Sequence, residues 1–320
     1  GNFFFVKNTM KSLSILAEYS RKRIKNLVTI CITGSSGKTT LKEWIFKTFE
    51  GQKISYCTFG NLNNQVGMPL TLVNMPKKTQ LCILELGMNS PGEINRLAKI
   101  ANPNISIITN IGSAHAGNFL NINKIAEEKS QVFNYLDKNS IAIIPHDSKH
   151  HKLLYLKAAK KTKKIFSFGF NKDSNIRIIK NIKKNSWTFA FYDELLKINN
   201  KISFICWAQN VAIILCLAKI FKIQMQKIIP IIENLSPIRG RGELLEIKTK
   251  NHSFSLIDES YNSNPESLTQ AIKNLKNYKS IKTRTICVIG DMLELGSMSE
   301  DLHIKMLKVL LENEPDITIT

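Results

Sequence analysis

Apolar residues recur with two different periods along this chain, and the switches between them mark out its elements. Leu13, Leu16, Ala17 and Ile24 fall at helical spacing within Asn8–Lys25, which predicts a short amphipathic helix leading into the first strand. Near-continuous apolar runs then alternate with helical segments. Strands are expected at Leu27–Thr33, Lys53–Thr58, Leu81–Leu86, Ile105–Thr109 and Ser140–Ile144. Helices are expected at Lys38–Phe49, Met68–Asn74, Pro91–Ile100, with proline in its first turn, and Ile122–Leu136. This is the pattern of an α/β fold: a mostly parallel sheet flanked by helices on both faces.

From Lys164 onward the segments shorten and alternate. Ile176–Ile182, Ser186–Tyr192 and Leu195–Ile205 read as antiparallel strands at one sheet edge, followed by helices at Trp207–Phe221 and Met225–Leu235. Ser236-Pro237-Ile238-Arg239-Gly240-Arg241-Gly242 breaks the pattern and reads as a hinge between domains. Beyond it the βαβ rhythm restarts: strands Glu243–Lys248 and Ser253–Ile257, helix Pro265–Tyr278, strand Thr285–Ile289, a helix from about Ser299, and a nascent strand in Asp316–Thr320. The expected domains are a lead-in helix at 1–26, a central α/β domain at 27–236 and a C-terminal α/β (Rossmann-like) domain at 237–320. The last reads as truncated, because a doubly wound domain usually takes ~100–150 residues.

A length of 320 residues agrees with about two domains, and 43% hydrophobic residues suffice for buried cores. No apolar run reaches the ~18 residues that span a bilayer, so no stable membrane insertion is expected. The apolar start, Gly1–Lys7, lacks the basic flank and small-residue cleavage site of a secretory signal. The 45 Lys and Arg against 25 Asp and Glu leave a formal charge of +20, which raises the question of nucleic acid. Lysine, asparagine and isoleucine are over-used throughout, however, which points to genome bias. The densest basic cluster, Lys157–Lys164, also has no interleaved aromatic residues on which bases could stack. No nucleic-acid partner is expected. Cysteines 31, 57, 82, 206, 216 and 287 form no Cys-x-x-Cys pair, so they read as small buried hydrophobes in a reducing compartment.

Candidate chemistry concentrates at strand ends. Leu27–Thr33 runs into Gly34-Ser35-Ser36-Gly37-Lys38-Thr39-Thr40 at a strand-to-helix turn. The glycines let backbone N–H groups approach an anion, and the helix N-terminus adds partial positive charge. Lys38 would reach the β and γ phosphates, and the Thr39 hydroxyl would ligate Mg²⁺. The G-x-x-x-x-G-K-[ST] pattern is incomplete, since Ile32 stands where its first glycine should be. Glu85 emerges from a buried strand beside the loop as a carboxylate partner for Mg²⁺. His115 lies just past another strand's carboxyl end. By chemistry alone, Lys129 reads as an ordinary exposed helix lysine.

The shortened loop Thr33–Thr40 resembles that of the Mur ligases. One branch of that family is also resembled by Gly60-Asn61-Leu62-Asn63-Asn64-Gln65-Val66-Gly67-Met68-Pro69-Leu70, by Glu85-Leu86-Gly87-Met88-Asn89-Ser90-Pro91-Gly92-Glu93-Ile94, by Asp258-Glu259-Ser260-Tyr261-Asn262-Ser263-Asn264-Pro265 and by Gly290-Asp291-Met292-Leu293-Glu294-Leu295-Gly296. That branch adds D-alanyl-D-alanine to UDP-N-acetylmuramoyl-tripeptide during peptidoglycan synthesis. The family has an N-terminal uridine-binding domain, which this sequence is expected to lack, then central ATP-binding and C-terminal closing domains.

The resemblance implies an ADP-forming ligase working through an acyl phosphate, monomeric, in the bacterial cytoplasm. It implies that Lys38 and the loop amides bind ATP, that Thr39 and Glu85 hold one Mg²⁺ and His115 a second, and that Lys129 is a candidate for carbamylation. It places Asn210 beside the adenine, with Gln209 where the family usually has His. Arg241, Asp258, Tyr261 and Asn264 would reach the nucleotide or intermediate on closure, and Asn63 and Asn64 would face the peptide. Three other readings compete: another amino-acid ligase of the superfamily or a folylpolyglutamate synthase-like enzyme, a fragment that binds ATP without ligating, and a basic nucleic-acid-binding P-loop protein.

Overall fold

Alternate residues of the first apolar run face opposite sides of one sheet. Ile30 and Ile32 of β1 (Val28–Thr33) enter one core with Leu81 and Ile83 of β3 (Leu81–Glu85), while Cys31, Cys82 and Leu84 enter the other. A strand buried on both faces reads as continuously apolar, which is why these runs carry no alternation. The computed structural model describes residues 3, 5–114, 116–181, 186–191, 194–199, 205–250, 252–275, 278 and 283–320.

With β2 (Ser55–Cys57), β4 (Ile105–Ile108), β5 (Ile141–Pro145), β6 (Lys164–Gly169), β7 (Ile176–Asn181), β8 (Ser186–Phe191) and β9 (Glu194–Ile198), the sheet has nine described strands in the order β2-β3-β1-β4-β5-β6-β7-β8-β9. Pairing is parallel from β2 through β7, and only the β7–β8 and β8–β9 pairings are antiparallel. The edge therefore begins one strand later than the alternating segments suggest.

On one face, α2 (Lys38–Phe49), α7 (Ile205–Ile220) and α8 (Met225–Glu233) cover the core built around Trp44, Phe49, Trp187 and Trp207. On the other lie α1 (Thr9–Lys22), α3 (Gly67–Val73), α4 (Glu93–Ala101), α5 (Ile122–Ser130) and α6 (His151–Ala159). No described helix is long and apolar enough to cross a membrane. Pro91 stands ahead of α4 rather than in its first turn, because Gly92 at φ 86° is the N-cap. The expected helix to Leu136 stops at Ser130 and tightens into a 3₁₀ turn at Gln131–Phe133.

Past the hinge, β10 (Glu243–Lys248) and β11 (Ser253–Asp258) form an antiparallel hairpin in a sheet of their own, not the start of a parallel one. Every second residue of β10 is more exposed than its neighbours, the burial pattern of a half-covered antiparallel strand. In the remaining unit α9 (Pro265–Leu275) and α10 (Ser299–Asn313) pack together around Met292, Leu295 and Met306, and β12 (Ile286–Val288) and β13 (Ile317–Ile319) form a separate parallel pair. Parts of the expected elements at Ile182, Tyr192, 200–204 and 276–277 lie outside the described residues.

This topology fixes where a ligand can sit. Strand β1 lies between β3 and β4, and the order runs outward from it in both directions. The loops leaving the carboxyl ends of these strands open a crevice at this switch point.

Candidate active site

The loop after β1 is only four residues long, from Gly34 to Gly37, because Ile32 and Thr33 still belong to the strand. That accounts for the missing first glycine. A Cβ on Gly34 would lie 1.9 Å from Thr109 Oγ1, and Gly34 sits at φ 150°. Gly37, at φ 78°, is the N-cap of α2, and no side chain caps that helix. Its first N–H groups thus point into the crevice without a side-chain partner.

The residues leaving β4 brace the loop from the far side. Ser36 N–H donates to Asn110 Oδ1 (2.9 Å), and Asn110 Nδ2 donates to Ser36 Oγ (2.6 Å). Thr109 Oγ1 donates to Ser36 O (2.7 Å). Ser35 Oγ accepts from Gly112 N–H (2.8 Å) and donates to Gly112 O (3.1 Å). Thr109 and Asn110 were not singled out from sequence, where they look like an ordinary strand exit. Gly34→Ala is expected to drive these two loops apart and destabilise the domain by about 2–3 kcal/mol, from overpacking plus backbone strain. Denaturant unfolding of the variant measures it.

Two lysines converge on this loop. Lys38 Nζ donates to Gly34 O at 2.8 Å, and Lys129 Nζ donates to the same carbonyl at 3.1 Å. Lys129 is 1% exposed, so it is not the exposed helix lysine its surroundings in sequence suggest. Burial, then the neighbouring Lys38 charge, pushes the Lys129 ammonium well below the usual lysine range, against the pull of Glu128. Burial likewise lowers Lys38, while Glu85 opposes that shift and Arg241 adds to it. The Glu128 carboxylate is itself committed to the start of α4, accepting from Gly92 N–H (2.8 Å) and Ile94 N–H (3.0 Å).

Opposite the lysines stands Glu85, 2% exposed at the end of β3. Its Oε1 accepts from Asn63 Nδ2 at 2.7 Å, whereas its Oε2 is buried with no hydrogen-bond partner. A buried carboxylate oxygen without a donor, in a crevice that also exposes the Thr39 side chain, fits a hard divalent cation. Among the described residues no three His, Cys, Asp or Glu side chains cluster as a complete site. The remaining ligands would have to come from hydroxyls, water or a bound phosphate. His115 lies outside the described residues.

The crevice widens into a cleft of about 1260 Å³ between the two halves of the chain. Asn210 of α7 lies 6% exposed at its phosphate-loop end, with Gln209 beside it. Across the cleft, the Arg241 guanidinium stacks 4.1 Å from the centre of the Tyr261 ring. Asn264 lines the same wall, its Oδ1 accepting from Ser267 N–H (2.9 Å) at the start of α9. Asn64 uses its Oδ1 to cap α3 through Val66 and Gly67 N–H, at 3.1 and 2.9 Å. Asp258 does not line the cleft; its Oδ1 accepts from Ser260 N–H (3.1 Å) and Oγ–H (2.6 Å). The arrangement therefore offers an anion-binding loop, two buried lysines, one carboxylate oxygen without a partner and a facing wall carried by a separate unit.

Comparison with known proteins gives a consistent result. Residues 32–218 match the Mur ligase middle domain, and residues 240–320 match the Mur ligase glutamate ligase domain. The UDP-N-acetylmuramoyl-tripeptide–D-alanyl-D-alanine ligase of Rickettsia prowazekii is 32% identical over 315 residues, covering 96% of this chain and 68% of its own length. A crystal structure of MurF from Acinetobacter baumannii superposes with a TM-score of 0.88 at 29% identity, covering 98% of this chain and 68% of that one. MurF from Thermotoga maritima, solved in complex with ADP, gives a TM-score of 0.84 at 25% identity, covering 96% and 69%. The chain thus spans about two-thirds of the length of the relatives it matches, 62% in one case from Buchnera aphidicola.

Proposed function

The chain belongs to the Mur ligase family, and from that premise we propose that it carries the ATP-binding and closing parts of an ADP-forming ligase that adds D-alanyl-D-alanine to UDP-N-acetylmuramoyl-tripeptide in bacterial peptidoglycan synthesis. One observation carries the reading above the others: Lys38 and Lys129 meet on Gly34 O, facing a buried carboxylate oxygen of Glu85 that has no partner.

In this reading the terminal carboxylate of the tripeptide attacks the γ-phosphorus of ATP, and ADP leaves. The amine of D-alanyl-D-alanine attacks the resulting acyl phosphate, and inorganic phosphate departs from the tetrahedral intermediate. Activation is needed because a carboxylate is a poor electrophile. Lys38 and the N–H groups from Gly37 through Thr40 hold the phosphates and offset charge on the transferring group. Thr39 and Glu85 would hold one Mg²⁺, and carbamylated Lys129 with His115 a second. Mg²⁺ would supply neutralisation of phosphate charge there. Asn210 and Gln209 would face the adenine, Asn63 and Asn64 the peptide, and Arg241, Tyr261, Asn264 and Asp258 the nucleotide or intermediate as the halves close. The functional boundary would fall at 236/237, and the site of action would be the bacterial cytoplasm.

The test is phosphate release by the full-length protein with UDP-N-acetylmuramoyl-tripeptide and ATP. D-alanyl-D-alanine should switch it on, while single amino acids and glutamate should not. Release driven by glutamate or by one amino acid alone would assign the chain to another ligase of the superfamily. Supplied on its own, the 320-residue chain should bind Mg-ATP and make little product.

A further inference from the structure

A single acidic side chain reaches from the C-terminal unit to the brace behind the phosphate loop. Glu266, in the first turn of α9, takes three hydrogen bonds from Ser113: N–H to Oε1 at 2.9 Å, Oγ to Oε1 at 3.0 Å and Oγ to Oε2 at 3.1 Å. Ser113 is 2% exposed. Its neighbour Gly112 is the residue that exchanges two hydrogen bonds with Ser35 of the phosphate loop. A Cβ on Gly112 would lie 2.6 Å from Glu266 Cδ, so the carboxylate approaches through space that only glycine leaves open. A second contact holds the same segment a few residues on. Gly117 N–H donates to Glu294 O at 2.9 Å, and a Cβ on Gly117 would lie 2.7 Å from Gly296 N.

We propose that Glu266 is a positioning residue that latches the C-terminal unit to the phosphate loop through Ser113, Gly112 and Ser35, so that domain docking and loop geometry form one coupled equilibrium. The proposal rests on the nucleotide-site reading for its functional consequence, but the latch itself needs no nucleotide. The carboxylate accepts three bonds from one serine and faces no cation in that contact, which makes the interaction directional rather than a general charge attraction. The hydrogen bonds running from α9 through Ser113 and Gly112 to Ser35 add to the brace from β4 a restraint on the P-loop that exists only while α9 is docked.

The experiment compares the wild-type chain with Glu266→Ala, Glu266→Gln and Glu266→Ala combined with Ser113→Ala. It reads amide exchange across 111–118, the radius of gyration by small-angle scattering without nucleotide, and Mg-ADP affinity by calorimetry. Hydrogen bonds to a charged group predict a ~10- to 100-fold shift toward the undocked form in Glu266→Ala. Exchange across 111–118 should then speed up by that factor, the radius of gyration should rise and Mg-ADP should bind more weakly. Glu266→Gln, which keeps one acceptor oxygen but loses the negative charge, should fall between. Adding Ser113→Ala should change nothing further. Unchanged exchange and scattering in Glu266→Ala would overturn the latch. Tighter Mg-ADP binding would overturn it as well, by making the carboxylate a competitor for the anion site. A wild-type chain that latches but binds no Mg-ADP would sink the nucleotide reading and leave the latch standing.

Discussion

Lys38→Ala should remove phosphoryl transfer almost completely while leaving the fold intact. The lysine is the first residue of α2, directly after the N-cap Gly37, and its ammonium bonds to Gly34 O within its own turn. Neither contact spans distant parts of the chain, so removing them should cost little stability. The functional loss is large for the opposite reason. A cation buried beside the transferring phosphoryl group acts in a low-dielectric site, where losing one positioned donor costs about 100- to 1000-fold in rate. Burial lowers the Lys38 pKa and Arg241 adds to that shift, with Glu85 as the one neighbouring anion that opposes it. A bound polyphosphate would oppose it too. Calorimetry with Mg-ADP and a denaturation curve on the same variant separate the two effects. Nucleotide affinity within about threefold of wild type would remove Lys38 from the phosphate site.

The sequence was legible where one strand and its next turn determine the outcome. The helix over Lys38–Phe49 matches its expected bounds, because Gly37 ends the loop and an amphipathic run follows at once. Glu85 was legible as a carboxylate at the end of a buried strand. Asn63 was expected to face the peptide, and its bond to Glu85 was not legible because a 22-residue separation hides the pair. Thr109, Asn110 and Gly112, which shape the loop from behind, are meaningful only once β4 lies beside β1. The hairpin of β10 and β11 was misjudged as the start of a parallel unit, because two short strands separated by a turn carry no mark of which sheet they join. Glu266 had no signal at all: an acid in the first turn of a helix is the commonest of surface placements, and its partner is 153 residues away.

Lys129 shows how far burial overrides local pattern, and its substitution should move stability and activity in opposite directions. Its segment, Glu127-Glu128-Lys129-Ser130, reads as solvated helix, yet α5 turns the lysine into the core beside Gly34 and Lys38. Its folded pKa lies well below the ordinary value of 10.5, with burial as the main cause and Lys38 next. The fold therefore prefers the neutral amine. Below the folded pKa the protein carries the cost of a buried cation, and that cost diminishes as pH rises from the folded value toward 10.5. Lys129→Met should accordingly raise the thermal midpoint at neutral pH and flatten the rise of stability toward alkaline pH. The burial that disfavours the ammonium also favours reaction of the amine with CO₂, which would form an N–C bond and release a proton to give a carbamate. That product would reverse the sign of the site, because repulsion from Lys38 would become attraction. Activity of Lys129→Met should then fall by ~100-fold or more, as for loss of a positioned electrostatic group. Carbon-13 bicarbonate should give a carbamate NMR signal in the wild-type chain that the variant lacks. A variant that is less stable at neutral pH, or a wild-type chain without that signal, would return Lys129 to a purely structural bond on Gly34 O.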